Sequence, residues 1–191
     1  IDKSIVIIGL DDTIIDYSNI EDPNINVYPS YNGMIVKLTN IDIFRSEESN
    51  IVNETRLIDL DHTADSLFVT FDNINLDLGF TIGGIWIDDN RVVLNINNSS
   101  LTKCSGVGGD GGAISSWGGT INIDNSSFDN NISNSGGAIL KSQGSLNISN
   151  CSFTNNSHTL AQEGGAILIR TEATAYINNS EFSNNYSPNN G

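Results

Sequence analysis

Three acidic clusters carry residue types that could do chemistry: Asp11, Asp12 and Asp16; Asp59, Asp61, His62 and Asp65; and Asp88 and Asp89 beside Asn90 and Arg91. Hydrolysis of a glycosidic bond needs two carboxyl groups at a set separation on one face, one as proton donor and one as base or nucleophile. The cluster around His62 comes nearest to that requirement. Eliminative cleavage of an acidic polysaccharide needs a basic group among calcium-binding carboxylates, and Arg91 beside Asp88 and Asp89 is the one compact instance. All three clusters equally fit solvated caps at the ends of strands, where acidic residues of an acidic chain ordinarily lie. That reading is preferred, so no catalytic residue is assigned and the chain is expected not to be an enzyme, with a polysaccharide lyase or hydrolase as the alternative.

Metal and cofactor chemistry has less to draw on. Gly106-Val107-Gly108-Gly109-Asp110-Gly111 is similar to the glycine-rich loops that bind calcium in one class of β-helix, but it occurs once. A shell of roughly 6 to 8 oxygen ligands requires consecutive copies of such a loop. His158 has no second histidine near it and reads as a surface-loop residue. No metal ligand is assigned, no cofactor is expected, and the binding residues are left unassigned.

Elements able to position any of these groups must come from a chain of 191 residues, enough for one continuous core. Its formal charge is −15, with 23 acidic against 8 basic residues, which disfavours a grip on nucleic acid phosphates or anionic lipid. No run of about 18 apolar residues is present to span a bilayer as a helix. Membrane attachment is therefore expected only through regions outside this chain, both ends of which read as cut from a longer protein.

Self-similarity gives the architecture. Leu94-Asn95-Ile96-Asn97-Asn98, Ile121-Asn122-Ile123-Asp124-Asn125, Leu146-Asn147-Ile148-Ser149-Asn150 and Ala175-Tyr176-Ile177-Asn178-Asn179 align, with Gly111-Gly112-Ala113-Ile114, Gly136-Gly137-Ala138-Ile139 and Gly164-Gly165-Ala166-Ile167 between them. The corner asparagines are 27, 25 and 29 residues apart. Weaker copies place Asn73 and Asn40 at the same position upstream, and Ser4 to Gly9 opens a first coil. β-Branched residues alternate in short runs bounded by Gly, Asn, Asp and Ser, a strand pattern and not a helical one. The fold class expected is all-β, a right-handed parallel β-helix of about seven coils. It forms a single domain over 1–191, with irregular, long-looped coils over 1–91 and regular repeats over 92–191.

Strict alternation puts Leu146, Ile148 and Asn150 on one face of a strand and Asn147 and Ser149 on the other. Asn40, Asn73, Asn98, Asn125, Asn150 and Asn179 are thus expected to point inward and to form a structural ladder. Each amide would donate to one neighbouring coil and accept from the other, which removes the cost of burying it alone. Sequons at Asn98, Asn125 and Asn150 would then be closed to a glycan, whereas Asn53 would be open. Variable loops are expected at 17–33, 44–66, 103–110 and 157–163. Cys104 and Cys151 fall two coils apart and at different corners, so two free thiols are expected.

Gly-Gly-Ala-Ile paired with Phe128-Asp129-Asn130-Asn131, Phe153-Thr154-Asn155-Asn156 and Phe182-Ser183-Asn184-Asn185 resembles the repeats of the polymorphic membrane protein family of bacterial surface adhesins. The resemblance covers 92–191. The Ile, Asn, Asp and Ser bias also looks like that of large adhesin-like surface proteins of some archaea. These resemblances imply an extracellular or cell-surface scaffold that presents loops to a host or neighbouring-cell molecule or a glycan; a structural sheath or filament subunit is a further alternative.

Overall fold

The computed structural model describes residues 5–8, 14–16, 25–26, 34–44, 56–60, 66–106, 110–159 and 164–188. Among them every regular element is a strand, and every strand pair is parallel. The chain winds as a β-solenoid, each turn running over two broad faces, one short face and a return face. On the first broad face Ile7, Leu38, Phe71, Ile96, Ile123, Ile148 and Ile177 stand in register. On the second, Ile15, Ile43, Leu76, Leu101, Phe128, Phe153 and Phe182 do the same. The return face aligns Ile25, Ile58, Ile85, Ile114, Ile139 and Ile167. The short face holds Ser105–Gly106, Ile132–Ser133 and Ser157–His158, followed by a bridge from Ser157 to Tyr186.

The number of coils differs from seven. Seven strands stack on each broad face, but about four turns carry all sides of the coil. All four segments read as loops contain strands: Ser105–Gly106 inside 103–110 and Ser157–His158 inside 157–163 belong to the short face, and the other two hold strands of the return face. Arg56–Leu60, inside 44–66, buries Leu57, Ile58 and Leu60 in the core, and Ile25–Asn26 lies inside 17–33. Neither carries the Gly-Gly-Ala-Ile signature by which the return face announces itself downstream. The short face was hidden because two-residue strands are too brief to show alternation.

Isoleucine, leucine and phenylalanine columns fill one continuous core. Phe128 stacks on Phe153 and Phe153 on Phe182, each pair with ring centroids 4.8 Å apart and planes within 5° of parallel. This offset is dictated by the strand spacing of about 4.8 Å. The second glycine of each Gly-Gly-Ala-Ile step explains how narrow the turn is. A Cβ on Gly137 would stand inside contact distance of the Gly165 carbonyl and of the Ser157 amide and carbonyl, so the return face starts backbone against backbone.

The inward placement of the corner asparagines is overturned. Asn98, Asn125, Asn150 and Asn179 are exposed, as is Asn73, and Asn40 is partly exposed. All six adopt left-handed backbone, with φ between 47° and 55°. A left-handed residue interrupts the pleat, so the alternation that buries Leu94 and Ile96 does not carry through the bend. The asparagine swings out and the following residue, Ser99, Ser126 or Cys151, swings in and is buried. Asparagine is suited to this position because its short polar side chain tolerates left-handed backbone that costs other L-residues roughly 1 to 2 kcal/mol. A second left-handed corner at Lys103, Asn130, Asn155 and Asn184 turns the chain again and buries the next residue, Cys104, Asn131 or Asn156.

A buried amide ladder exists at that second corner, in the motif residues Asn131, Asn156 and Asn185. Asn131 Nδ2 donates to Asn156 Oδ1 at 2.9 Å and to the Leu101 carbonyl at 3.0 Å. Asn156 repeats this with Asn185 Oδ1 and the Phe128 carbonyl. The Oδ1 of Asn156 also accepts the Asn131 backbone amide at 3.0 Å. All four hydrogen-bonding positions of the Asn156 amide are used, which makes its burial affordable. Cys104 closes the column, its backbone amide donating to Asn131 Oδ1 at 3.0 Å.

Candidate functional site: a polar groove along the solenoid

The outward-turned asparagines line a groove of about 1160 Å³ that follows the bend between the two broad faces from coil to coil. One wall is the column Asn40, Asn73, Asn98, Asn125, Asn150 and Asn179. The facing wall comes from the second broad face, where Asp42, Asn75, Ser100, Ser127, Ser152 and Glu181 are in register. Hydroxyls thus occupy the middle of that wall and carboxylates its two ends.

The floor is a hydroxyl ladder created by the left-handed corner. The bend pulls one backbone amide per coil out of the sheet pairing, and a serine of the next coil receives it: Ile74 N donates to Ser99 Oγ and Ser99 N to Ser126 Oγ, both at 3.1 Å. Each hydroxyl in turn donates to the carbonyl two residues before it, Ser99 to Asn97 at 2.6 Å and Ser126 to Asp124 at 2.8 Å. Cys151 stands in this row, its Sγ directed at the Ser149 carbonyl at 3.0 Å. Burial raises its thiol pKa, and burial pushes that of Cys104 up as well. Both thiols are free and buried.

The corner amides are linked along the wall. Asn73 donates to Asn40 Oδ1 at 2.9 Å, Asn125 to Asn98 at 2.7 Å and Asn179 to Asn150 at 2.6 Å. Asn98 and Asn150 turn to Asp72 and Asp124 instead, at 2.9 and 2.8 Å. The Asp124 carboxyl is held below the ordinary carboxylate range, first by the Ser149 hydroxyl and next by Asn150. An amide offers two N–H donors and two acceptor positions, and these bonds take one donor each from Asn73, Asn98, Asn125, Asn150 and Asn179. What remains is a row of donors and acceptors repeating at about 4.8 Å, suited to a chain-like ligand rich in hydroxyls or amides.

Asn147, on the face opposite Leu146 and Ile148, stands in register with Asn122 and Asn95, and the three make a third row. Asn147 donates to Asn122 at 2.8 Å and Asn122 to Asn95 at 2.9 Å, all three half-buried. The exposure of Asn98, Asn125 and Asn150 also removes the steric reason for excluding a glycan there. Asn53 lies outside the described residues.

Only parts of the acidic clusters lie among the described residues. Asp89 binds Arg91 through both Nε and Nη2, at 2.9 and 2.7 Å, and also accepts the Arg91 backbone amide at 2.6 Å, which closes a local turn. Asp11, Asp12, Asp61, His62 and Asp65 lie outside the described residues, so the cluster nearest to glycosidase chemistry does too. Among the described residues no group of three His, Cys, Asp or Glu side chains could hold a metal. His158 is buried in the short face, where its Nε2 meets Ser187 Oγ at 2.7 Å, so its reading as a surface-loop residue is corrected. Its backbone follows the same inward corner as Asn156, which no isolated histidine in a sequence betrays.

Lys141 was missed altogether. It lies two residues after Ile139 on the return face, and its side chain is fully buried. Its Nζ is held by Ser116 Oγ at 2.8 Å and by the carbonyls of Gly118 and Gly119 at 2.5 and 2.9 Å. Burial lowers its pKa to about 8. A serine hydroxyl beside a lysine of lowered pKa is the pair some hydrolases use. Here Ser116 donates to the Gly118 carbonyl and both side chains are buried, so the pair ties a corner.

No protein-family model, no curated protein and no solved structure matches this chain.

Proposed function

We propose that this chain is a section of a non-enzymatic, adhesin-like scaffold, secreted or displayed at a cell surface, that binds glycan along its polar groove. The observation that carries this reading is the pair of registered polar columns facing each other across the groove, asparagine amides on one side and serine hydroxyls on the other. Polysaccharide hydroxyls both donate and accept, and a rigid row of groups that also do both loses little entropy on binding them. The acidic balance of the chain favours a neutral glycan over an anionic one. The likeness of the Gly-Gly-Ala-Ile and Phe-x-x-Asn repeats to surface adhesin repeats supports the same setting, with attachment supplied by other regions.

Electrophoresis through gels containing neutral polysaccharides tests the proposal. The chain should be retarded by at least one of them, and Ser127→Phe, which fills the middle of the groove without touching the core, should restore its mobility. Equal retardation of the two proteins would place binding elsewhere, and release of reducing ends during the run would make the chain an enzyme.

A further inference from the structure

Both tryptophans of the chain and two of its four arginines meet on the outer side of the return face, away from the groove. Trp86 and Trp117 come from successive coils, with ring centroids 6.5 Å apart and planes inclined at 42°. Arg56 lies over Trp86 at 5.6 Å and Arg170 over Trp117 at 5.2 Å. Between the two arginines runs the backbone of Asp110 and Gly111. Arg56 donates to the carbonyls of both, at 2.5 and 2.6 Å, and Arg170 reaches down to the Asp110 carboxylate at 3.2 Å. Four residues far apart in the chain thus fix one carboxylate and one guanidinium side by side, against indole rings.

We propose that this cluster is a second saccharide site, in which a neutral pyranose packs against Trp117 and two adjacent hydroxyls of the ring are held by Arg170 and Asp110. Trp117 keeps 39% of its surface exposed, and an indole face suits the C–H face of a sugar ring, apolar in body with polar groups at the edge. A guanidinium has five N–H donors. Arg170 uses one on Asp110 through Nη2 and one on Ser142 at 3.4 Å through Nη1, which leaves three. Arg170 meets Asp110 through Oδ2, which leaves Oδ1 as an acceptor on the same carboxylate. Donor and acceptor side by side match neighbouring hydroxyls, one accepting from the arginine and one donating to the aspartate. The positive charge of Arg170 and Arg56 is offset by Asp110 and by the nearby Asp59 and Asp88, in register or adjacent to Trp86 and Trp117. A neutral ring therefore fits better than an acidic one. Arg56 is a positioning residue: it holds Asp110 in place and touches no ligand.

The site shares the glycan class of the groove reading but not its location, and tryptophan fluorescence reads it separately. Neutral hexasaccharides of glucose, mannose and galactose are titrated into the chain, with trigalacturonate and triglutamate alongside. At least one neutral oligomer should change the emission saturably. Trp117→Ala should abolish the change with the melting temperature retained, and Arg170→Lys, which keeps charge but loses the fork, should weaken binding about tenfold. If Ser127→Phe loses retardation in the gel while the fluorescence titration persists, the two sites are distinct. Emission unmoved by every neutral oligomer, tighter binding of trigalacturonate or triglutamate, or binding that survives Trp117→Ala overturns the proposal.

Discussion

Asparagine plays two opposite parts in each coil, and substitution separates them. Asn156→Leu would strand the amide of Asn131, the carbonyl of Phe128 and the Oδ1 of Asn185 in a buried column. Each unsatisfied buried group costs about 1 to 3 kcal/mol, so a loss of at least about 3 kcal/mol is expected. Asn125→Leu leaves an exposed corner in left-handed backbone and should cost about 1 to 2 kcal/mol. Asn125→Gly should be close to neutral, since glycine adopts that conformation freely. Urea midpoints of the three variants decide the matter, and equal midpoints for Asn156→Leu and Asn125→Leu would dissolve the distinction. The two roles were only half legible in the sequence. The Leu-x-Ile spacing gave the inward face of the first strand, but a residue with positive φ leaves no mark on a period-two pattern. The asparagine was therefore carried inward by arithmetic that the bend cancels. Its successor, Ser99, Ser126 or Ser180, was the overlooked signal: a small hydroxyl residue at a fixed place, needed there to receive one backbone amide.

Individual strands were legible wherever they recur with one composition, as Thr120–Asp124 and Val92–Asn97 do. They were not where tertiary demand overrides it. Lys141 occupies an inward position of Ile139–Ser149 because the Ser116, Gly118 and Gly119 oxygens satisfy its ammonium group, an arrangement no local spacing reveals. Its titration gives the return face a pH signature. In the folded chain Lys141 releases its proton near pH 8, below its ordinary 10.5. Between those values the unfolded chain holds more protons, so stability rises with pH across that window. The gain is at most about 3 kcal/mol, at about 1.4 kcal/mol per pKa unit. Lys141→Met should flatten the rise, seen by comparing denaturation of the two proteins at neutral pH and at about pH 10. A parallel rise in the variant would assign the effect to other groups. The narrow start of the same face makes a second demand: Gly137→Ala must push Gly165 and Ser157 apart. A loss of several kcal/mol is expected, of the order of severe overpacking, while a stability near that of the parent would show that the coil can widen.

For the whole molecule, the solenoid and its parallel stacking followed from the repeat, because only one architecture puts seven equivalent residues in one column. The Trp86, Trp117, Arg56 and Arg170 cluster did not follow, since long side chains join it across coils that share no motif. The formal charge of −15 should also govern global stability. Repulsion among acidic side chains is screened over about 10 Å at 0.1 M salt, so the melting temperature should rise as sodium chloride is added from low ionic strength. A fall would mean that the Arg170–Asp110 and Lys103–Asp77 pairs outweigh the repulsion.

The two amide ladders also differ in direction. At the exposed corner Asn73, Asn125 and Asn179 donate toward the N-terminal coil, a sense shared by Asn98 and Asn150 through their aspartate acceptors. In the buried column Asn131 and Asn156 donate toward the C-terminal coil. Aligned amide dipoles add along an axis, as they do in a helix, but these two rows point against each other. The third row, Asn147 to Asn122 to Asn95, donates in the same sense as the exposed corner, so over the coils that carry Asn131 and Asn156 one inner row opposes two outer ones. The inner row therefore reduces the axial field of the side-chain amides without removing it, and each added coil of this kind would extend a field weaker than three aligned rows would give.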